Sequence, residues 1–197
     1  SFTGETTTGR LIMQYASENL IPVTMELGGK SPNIFFPSVA DADDDFFDKA
    51  IEGAVLFAVN QGEVCTCPSR ILVHESIYDK VKDALVKAYG QLRIGNPLDQ
   101  NNHVGPLIDT HAVEMYNKAL SKVVAEGGKI LVEGGVLSGE GYESGCYVKP
   151  AIAEAQNTFE IVQHETFAPV LYLLQYSGEV ENAIALQNGV AQGLSSA

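Results

Sequence analysis

The sequence predicts an α/β fold, a mostly parallel twisted sheet flanked by helices, on three observations. Short apolar runs such as Ile71-Leu72-Val73 and Val170 to Leu174 alternate with longer stretches whose apolar residues recur at helical spacing. That alternation implies crossover units, which set consecutive strands parallel. Glycine pairs at Gly28-Gly29 and Gly127-Gly128 punctuate the joints. Finally, 45% hydrophobic and 19% charged residues over 197 positions suit one globular domain, or one domain plus a piece of another.

In chain order, Ser1 to Gly9 is a small, polar run that leads into a helical pattern at Leu11, Ile12, Tyr15 and Ala16. Exposed amides at such a helix start favour anions. Gly4 to Arg10 has the spacing of a phosphate loop, but Arg10 and Leu11 stand where that motif needs Lys and Ser/Thr. Pro22 to Leu27 is strand-like up to the Gly28-Gly29 turn, and Asn33-Ile34-Phe35-Phe36 is a second short strand before Pro37. Phe46, Phe47, Ala50, Ile51, Ala54, Val55 and Ala58 mark a buried helix that delivers the chain to Asn60.

Ile71 to Val73 is a strand, and Ile77, Val81, Ala84, Leu85 and Ala88 form an amphipathic helix. Gly95 to Leu107 is a turn-rich connection. Ala112, Tyr116, Ala119, Leu120, Val123 and Val124 give the next helix, stopped at Gly127-Gly128 before a strand at Lys129 to Val132. Glu133 to Gly145, with five glycines, reads as a surface excursion. Tyr147-Val148, Ala151-Ile152 and Val170 to Leu174 are strands, and Val180, Ala183, Ile184 and Leu186 a last helix before Gly189.

The formal charge of −13 argues against nucleic acid and anionic membrane surfaces as partners, because both would repel the chain. No apolar run approaches the roughly 20 residues of a membrane helix, and the start lacks a signal-like core, so a cytoplasmic location is expected. Three cysteines, an odd number, suit a reducing compartment. The acids Asp41, Asp43, Asp44 and Asp45 are expected to open a helix. No metal site is expected: Cys65 and Cys67 lack a second ligand pair, and His74, His103, His111 and His164 are scattered. Both ends interrupt a pattern, Ser1 without a preceding fold and Ala197 just after Gly193-Leu194-Ser195-Ser196, as expected of a fragment or excised domain.

Chemistry centres on Asn60 to Arg70, which reads Asn-Gln-Gly-Glu-Val-Cys-Thr-Cys-Pro-Ser-Arg. A cysteine at a helix-to-strand corner can face substrate while both elements hold its backbone. The residues alone leave Cys65 and Cys67 as near-equal candidates.

Three motifs carry a resemblance. Met25-Glu26-Leu27-Gly28-Gly29-Lys30-Ser31-Pro32-Asn33 resembles the glutamate motif of the aldehyde dehydrogenase superfamily, Gly62 to Arg70 its cysteine motif, and Glu165-Thr166-Phe167-Ala168-Pro169-Val170 its Glu-x-Phe-Gly-Pro element. They stand in the expected order over the whole chain. The resemblance implies the catalytic part of an NAD(P)-dependent aldehyde dehydrogenase. Residues 1–28 would be the tail of the coenzyme-binding domain and residues 29–197 the catalytic, thiol-bearing domain without its C-terminal oligomerisation segment.

The family's nucleophile lies five residues before the motif's arginine, so the resemblance selects Cys65 and leaves Cys67 as a neighbour. It also makes Glu26 the general base. A thiolate adds to an aldehyde, hydride leaves to a nicotinamide, and activated water hydrolyses the thioester. The Cys65 backbone N–H would meet the oxyanion, the second, amide donor lying upstream of Ser1.

For the cofactor, NAD or NADP, the resemblance implies that Glu165 binds the nicotinamide ribose, Phe167 packs near the ring, and Leu27 and Gly28 flank the carboxamide. Gly4 and Glu5 align with the family's pyrophosphate-binding Gly-Ser, and Glu5 departs from it, since a carboxylate facing diphosphate is unfavourable unless it turns away. From the residues alone, Phe167 is equally a core residue and Glu26 a solvated carboxylate at a strand end. The expected partner is a small aldehyde, with Phe57 and Val64 favouring an apolar one, and the complete enzyme is expected to be a homo-oligomer. Ser31 to Phe36 and Gln61 to Arg70 are similar to bacterial short-chain enzymes, whereas His74 to Asp79, Arg93 to Leu98 and His164 to Tyr172 are similar to the aminoadipic-semialdehyde type. Two other functions stay open: cofactor-independent thiol esterase activity through Cys65 and Glu26, and a folded but incompetent module.

Overall fold

A computed structural model describes residues 1–41 and 45–197. Its main sheet has five strands in the order β3-β4-β9-β8-β5: β3 (Pro32–Phe35), β4 (Arg70–His74), β9 (Val170–Tyr176), β8 (Ala151–Glu154) and β5 (Lys129–Val132). All neighbours run parallel except β5, which is antiparallel to β8. The expected mostly parallel α/β architecture is therefore present.

Helices cover both faces, which explains why the central strands read as unbroken apolar runs. Leu72, Tyr172 and Leu174 point to one face, where α4 (Thr110–Ala125) packs through Val113, Tyr116, Ala119 and Val123, and α6 (Val180–Asn188) through Ala183. Ile71, Val73, Leu171 and Leu173 alternate to the other, against α2 (Phe46–Val59) and α3 (Tyr78–Tyr89). Asp45 directly precedes α2 and pairs with Lys49 at 2.6 Å. Asp43 and Asp44 lie outside the described residues.

The N-terminal residues form their own small unit, in which β1 (Phe2–Thr3) and β2 (Met25–Glu26) make a two-stranded parallel sheet joined through α1 (Thr6–Glu18). The strand expected over Pro22 to Leu27 shrinks to those two residues, because only Met25 and Glu26 have a ladder partner. The glycine-rich excursion also holds more structure than expected: β6 (Gly135–Val136) pairs antiparallel with β7 (Val148–Lys149). A short α5 (Glu160–Gln163), too brief to show a period, precedes the Glu165 motif. Ala197 bonds to the outer edge of β3, its N–H to Pro32 O (3.3 Å) and its carbonyl to Ile34 N (2.7 Å).

Candidate active site

The three motifs stand immediately ahead of β3, β4 and β9, which are parallel and adjacent in the sheet. In register, Pro32 faces Arg70 and Arg70 faces Tyr172. Segments far apart in sequence thus meet at the amino ends of three neighbouring strands.

The cysteine loop leaves α2 through two consecutive left-handed residues, Gln61 (φ 55°) and Gly62 (φ 67°). A Cβ on Gly62 would lie 2.4 Å from Ala168 O, so glycine is required by both conformation and space. Gln61 Nε2 donates to Pro106 O (3.3 Å), and Ile108 N donates to Glu63 (3.0 Å), whose carboxyl burial pushes above its usual range. Cys65 is half-buried. Cys67 faces inward against the α2 side of the core, and burial pushes its thiol up, which lowers its thiolate fraction at neutral pH.

Gly29 binds the other two segments together. Its N–H donates to Glu165 Oε1 at 3.2 Å, and a Cβ there would lie 3.3 Å from the Cys65 carbonyl. A Cβ on Gly28 would lie 2.0 Å from Glu165 Oε2, so the Glu165 carboxylate rests on bare backbone. Burial raises the pKa of Glu165, opposed by the Gly29 N–H and by Lys30. Phe167 is 42% exposed at φ 54°, a left-handed backbone position uncommon for an aromatic residue. Phe57, by contrast, is 2% exposed and belongs to the core, while Val64 is exposed.

Glu26 is exposed on β2, and its carbonyl accepts the Gly4 N–H at 3.0 Å, so the first glycine lies beside the candidate base. Leu27 packs toward Gly9 of α1, where a Cβ would lie 2.6 Å from its Cδ2. Glu5 caps α1: its Oε2 accepts the Thr8 N–H at 3.0 Å, and the Thr7 amide leads the contacts that hold its carboxyl below the usual range. It adds repulsion to Glu165. At the nicotinamide end of a dinucleotide, the Glu165 carboxylate already packs on Gly28 and accepts the Gly29 N–H. The diphosphate end does not fit this conformation, because the Glu5 carboxylate already holds the helix amides that an anion would use.

Two buried cations escaped sequence reasoning. Arg70 is fully buried, with Nε donating to Lys30 O (2.8 Å), Nη1 to Asn157 Oδ1 (2.7 Å) and Leu186 O (3.0 Å), and Nη2 to Gln187 O (3.2 Å). Burial lowers its pKa to about 10. Lys30 is 2% exposed, with its Nζ 4.8 Å from the Tyr172 ring centroid. Burial first, then Arg70, push its amine down to about 7, against the pull of Glu165. Nothing local in Gly-Gly-Lys-Ser-Pro marks that lysine as interior. Among the described residues, no cluster of His, Cys, Asp or Glu could hold a metal ion, and no helix is long and apolar enough to cross a membrane.

The aldehyde dehydrogenase family pattern matches residues 1–197. An aldehyde dehydrogenase of Deinococcus radiodurans is 50% identical over 194 residues, covering 98% of this chain and 38% of that protein. Acetaldehyde dehydrogenase 2 of Cupriavidus necator is 50% identical over 196 residues, with the same coverage of 98% and 38%. Betaine aldehyde dehydrogenase of Staphylococcus aureus, crystallised with NAD+ and a BME-modified cysteine, superimposes with a TM-score of 0.91 at 34% identity over 99% of this chain and 39% of that one. The chain belongs to the aldehyde dehydrogenase family. It spans under two fifths of the length of these relatives.

Proposed function

We propose that this chain supplies the thiol and the base of an NAD(P)-dependent aldehyde dehydrogenase, with Cys65 as nucleophile and Glu26 as general base. The observation that carries it is the meeting of the three motif segments ahead of β3, β4 and β9, with Gly29 against both the Cys65 carbonyl and the Glu165 carboxylate. The inward, raised-pKa thiol of Cys67 supports Cys65 as the reacting sulfur. The separate β1-β2 sheet supports assigning residues 1–28 to a coenzyme domain and 29–197 to the catalytic one.

In this reading the Cys65 thiolate forms a C–S bond to the aldehyde carbon, and the carbonyl oxygen gains the electron pair. NAD or NADP, when bound, would supply the acceptor for the hydride released from the aldehyde carbon. Glu26, open to solvent, takes a proton from water as that water attacks the thioester; the C–S bond then breaks, releasing the carboxylic acid and the thiolate. Glu165 would hold the nicotinamide ribose, Leu27 and Gly28 would flank the carboxamide, and Phe167 would pack near the ring. The Glu5 cap favours a second reading, cofactor-independent esterase activity, for any state in which that cap stays closed.

The test compares Cys65→Ser and Cys67→Ser, within an enzyme of the relatives' full length, by NAD+-linked aldehyde oxidation. Cys65→Ser should lose at least about a thousandfold in kcat, and Cys67→Ser should stay within about threefold, as for a neighbour outside the chemistry. Undiminished turnover by Cys65→Ser overturns the assignment. Hydrolysis of an activated ester without cofactor, abolished by alkylating Cys65, would support the second reading.

A further inference from the structure

Lys30 Nζ and Ser69 Oγ are buried and have no hydrogen-bond partner among the described protein atoms. They precede β3 and β4 respectively, and they line one and the same cavity. Its volume of about 10 Å³ is near the lower bound of ~10–15 Å³ that admits one water. Glu165 and Thr166, from the segment ahead of β9, line it too, as do Cys67 and the Tyr172 ring. A buried amine and hydroxyl left without hydrogen-bond partners would each carry an uncompensated desolvation penalty.

We propose that this cavity is a one-water site that ties the three motif segments together beside Cys67. The Lys30 amine donates to the water oxygen, the water donates to Ser69 Oγ, and its second hydrogen faces the carboxylate and hydroxyl of Glu165 and Thr166. The positive groups of Lys30 and Arg70 disfavour a cation there. The water gives the hydroxyl of Ser69, four positions after Cys65, a partner that no direct protein contact provides. The site stands whether or not Cys65 is the reacting sulfur, so it can fail while that assignment survives, and the reverse.

A high-resolution crystal structure of the chain is the direct test. One fully occupied water within hydrogen-bond distance of both Lys30 Nζ and Ser69 Oγ is expected. A dry cavity overturns the proposal, as does either atom bonded to a protein group instead, or a bromide peak there after soaking. The second test is a double-mutant cycle of Lys30→Met and Ser69→Ala in urea at pH 9, above the folded amine's value of about 7. A shared water makes the two losses non-additive, so the unfolding constant of the double variant should differ from the product of the singles by about threefold or more. Strict additivity overturns the shared site. If Lys30→Met does not fold, the crystal structure of Ser69→Ala decides: loss or displacement of the water supports the site, and an unmoved water overturns it.

Discussion

The junction ahead of β3, β4 and β9 and the N-terminal unit of residues 1–27 are held in opposite ways. At the junction, Arg70 is fully buried and gathers acceptors from Lys30, Asn157, Leu186 and Gln187. The N-terminal unit has no such centre. Its helix α1 buries only Gly9 and Ala16, while Leu11, Met13, Tyr15, Leu20 and Ile21 remain exposed. Its ties to the rest include the Gln192 Nε2 bond to Thr6 Oγ1 at 3.0 Å. The cysteine loop therefore sits on the stiff part of the molecule, and Glu26 on the part with few buried contacts.

The largest effect that would test this contrast comes from Arg70→Met. Lys30, Leu186 and Gln187 lose a buried donor and Asn157 its partner, so stability should fall by about 3–5 kcal/mol in urea unfolding. A loss under about 1 kcal/mol would show that Arg70 does not centre the junction. Gly62→Ala comes next, at about 2–3 kcal/mol, since the new Cβ meets Ala168 O in a left-handed backbone. Its alkylation rate at Cys65 should change as well, because the turn that aims the loop is distorted.

Lys30→Met probes the electrostatics of the same junction. The folded value near 7 lies below the ordinary 10.5, so between those pH values the unfolded chain binds the extra proton and stability rises with pH. Below 7 both states are protonated and the destabilisation is at its full, constant value. The variant should lack that rise, whose slope for a single group is at most about 1.4 kcal/mol per pH unit. Equal pH dependence in both proteins would show that the amine is not desolvated. Smallest is Leu20→Asn, at an 89% exposed left-handed position that asparagine tolerates. A change within about 0.5 kcal/mol is expected, and a larger loss would mean the N-terminal unit is better anchored than its burial implies.

Much of the fold was legible because its signals are local. The runs at Ile71 to Val73 and Val170 to Leu174 and the spacing from Ala112 to Val124 each reveal an element without reference to the rest of the chain. Elements of two residues, such as β1 and β6, have too few positions to show a period, and they exist only through their partners. The site was legible through motif order, which located the Cys65, Glu26 and Glu165 segments but not their contacts. Phe167 illustrates the limit: its motif fits either a core or a cofactor role, and its 42% exposure is not written in that motif.

By itself, then, the sequence determined the class of fold, the order of its elements and the three segments that carry the candidate chemistry, since periodicity, turn residues and motifs are written along the chain. Tertiary structure alone decided that those segments are neighbours, through the strand order β3-β4-β9. It also decided that Lys30 and Arg70 lie inside and that Glu5 closes its own helix start. Burial and strand adjacency depend on residues far away in sequence, and a charge shifts or finds its partner only once those residues have arrived.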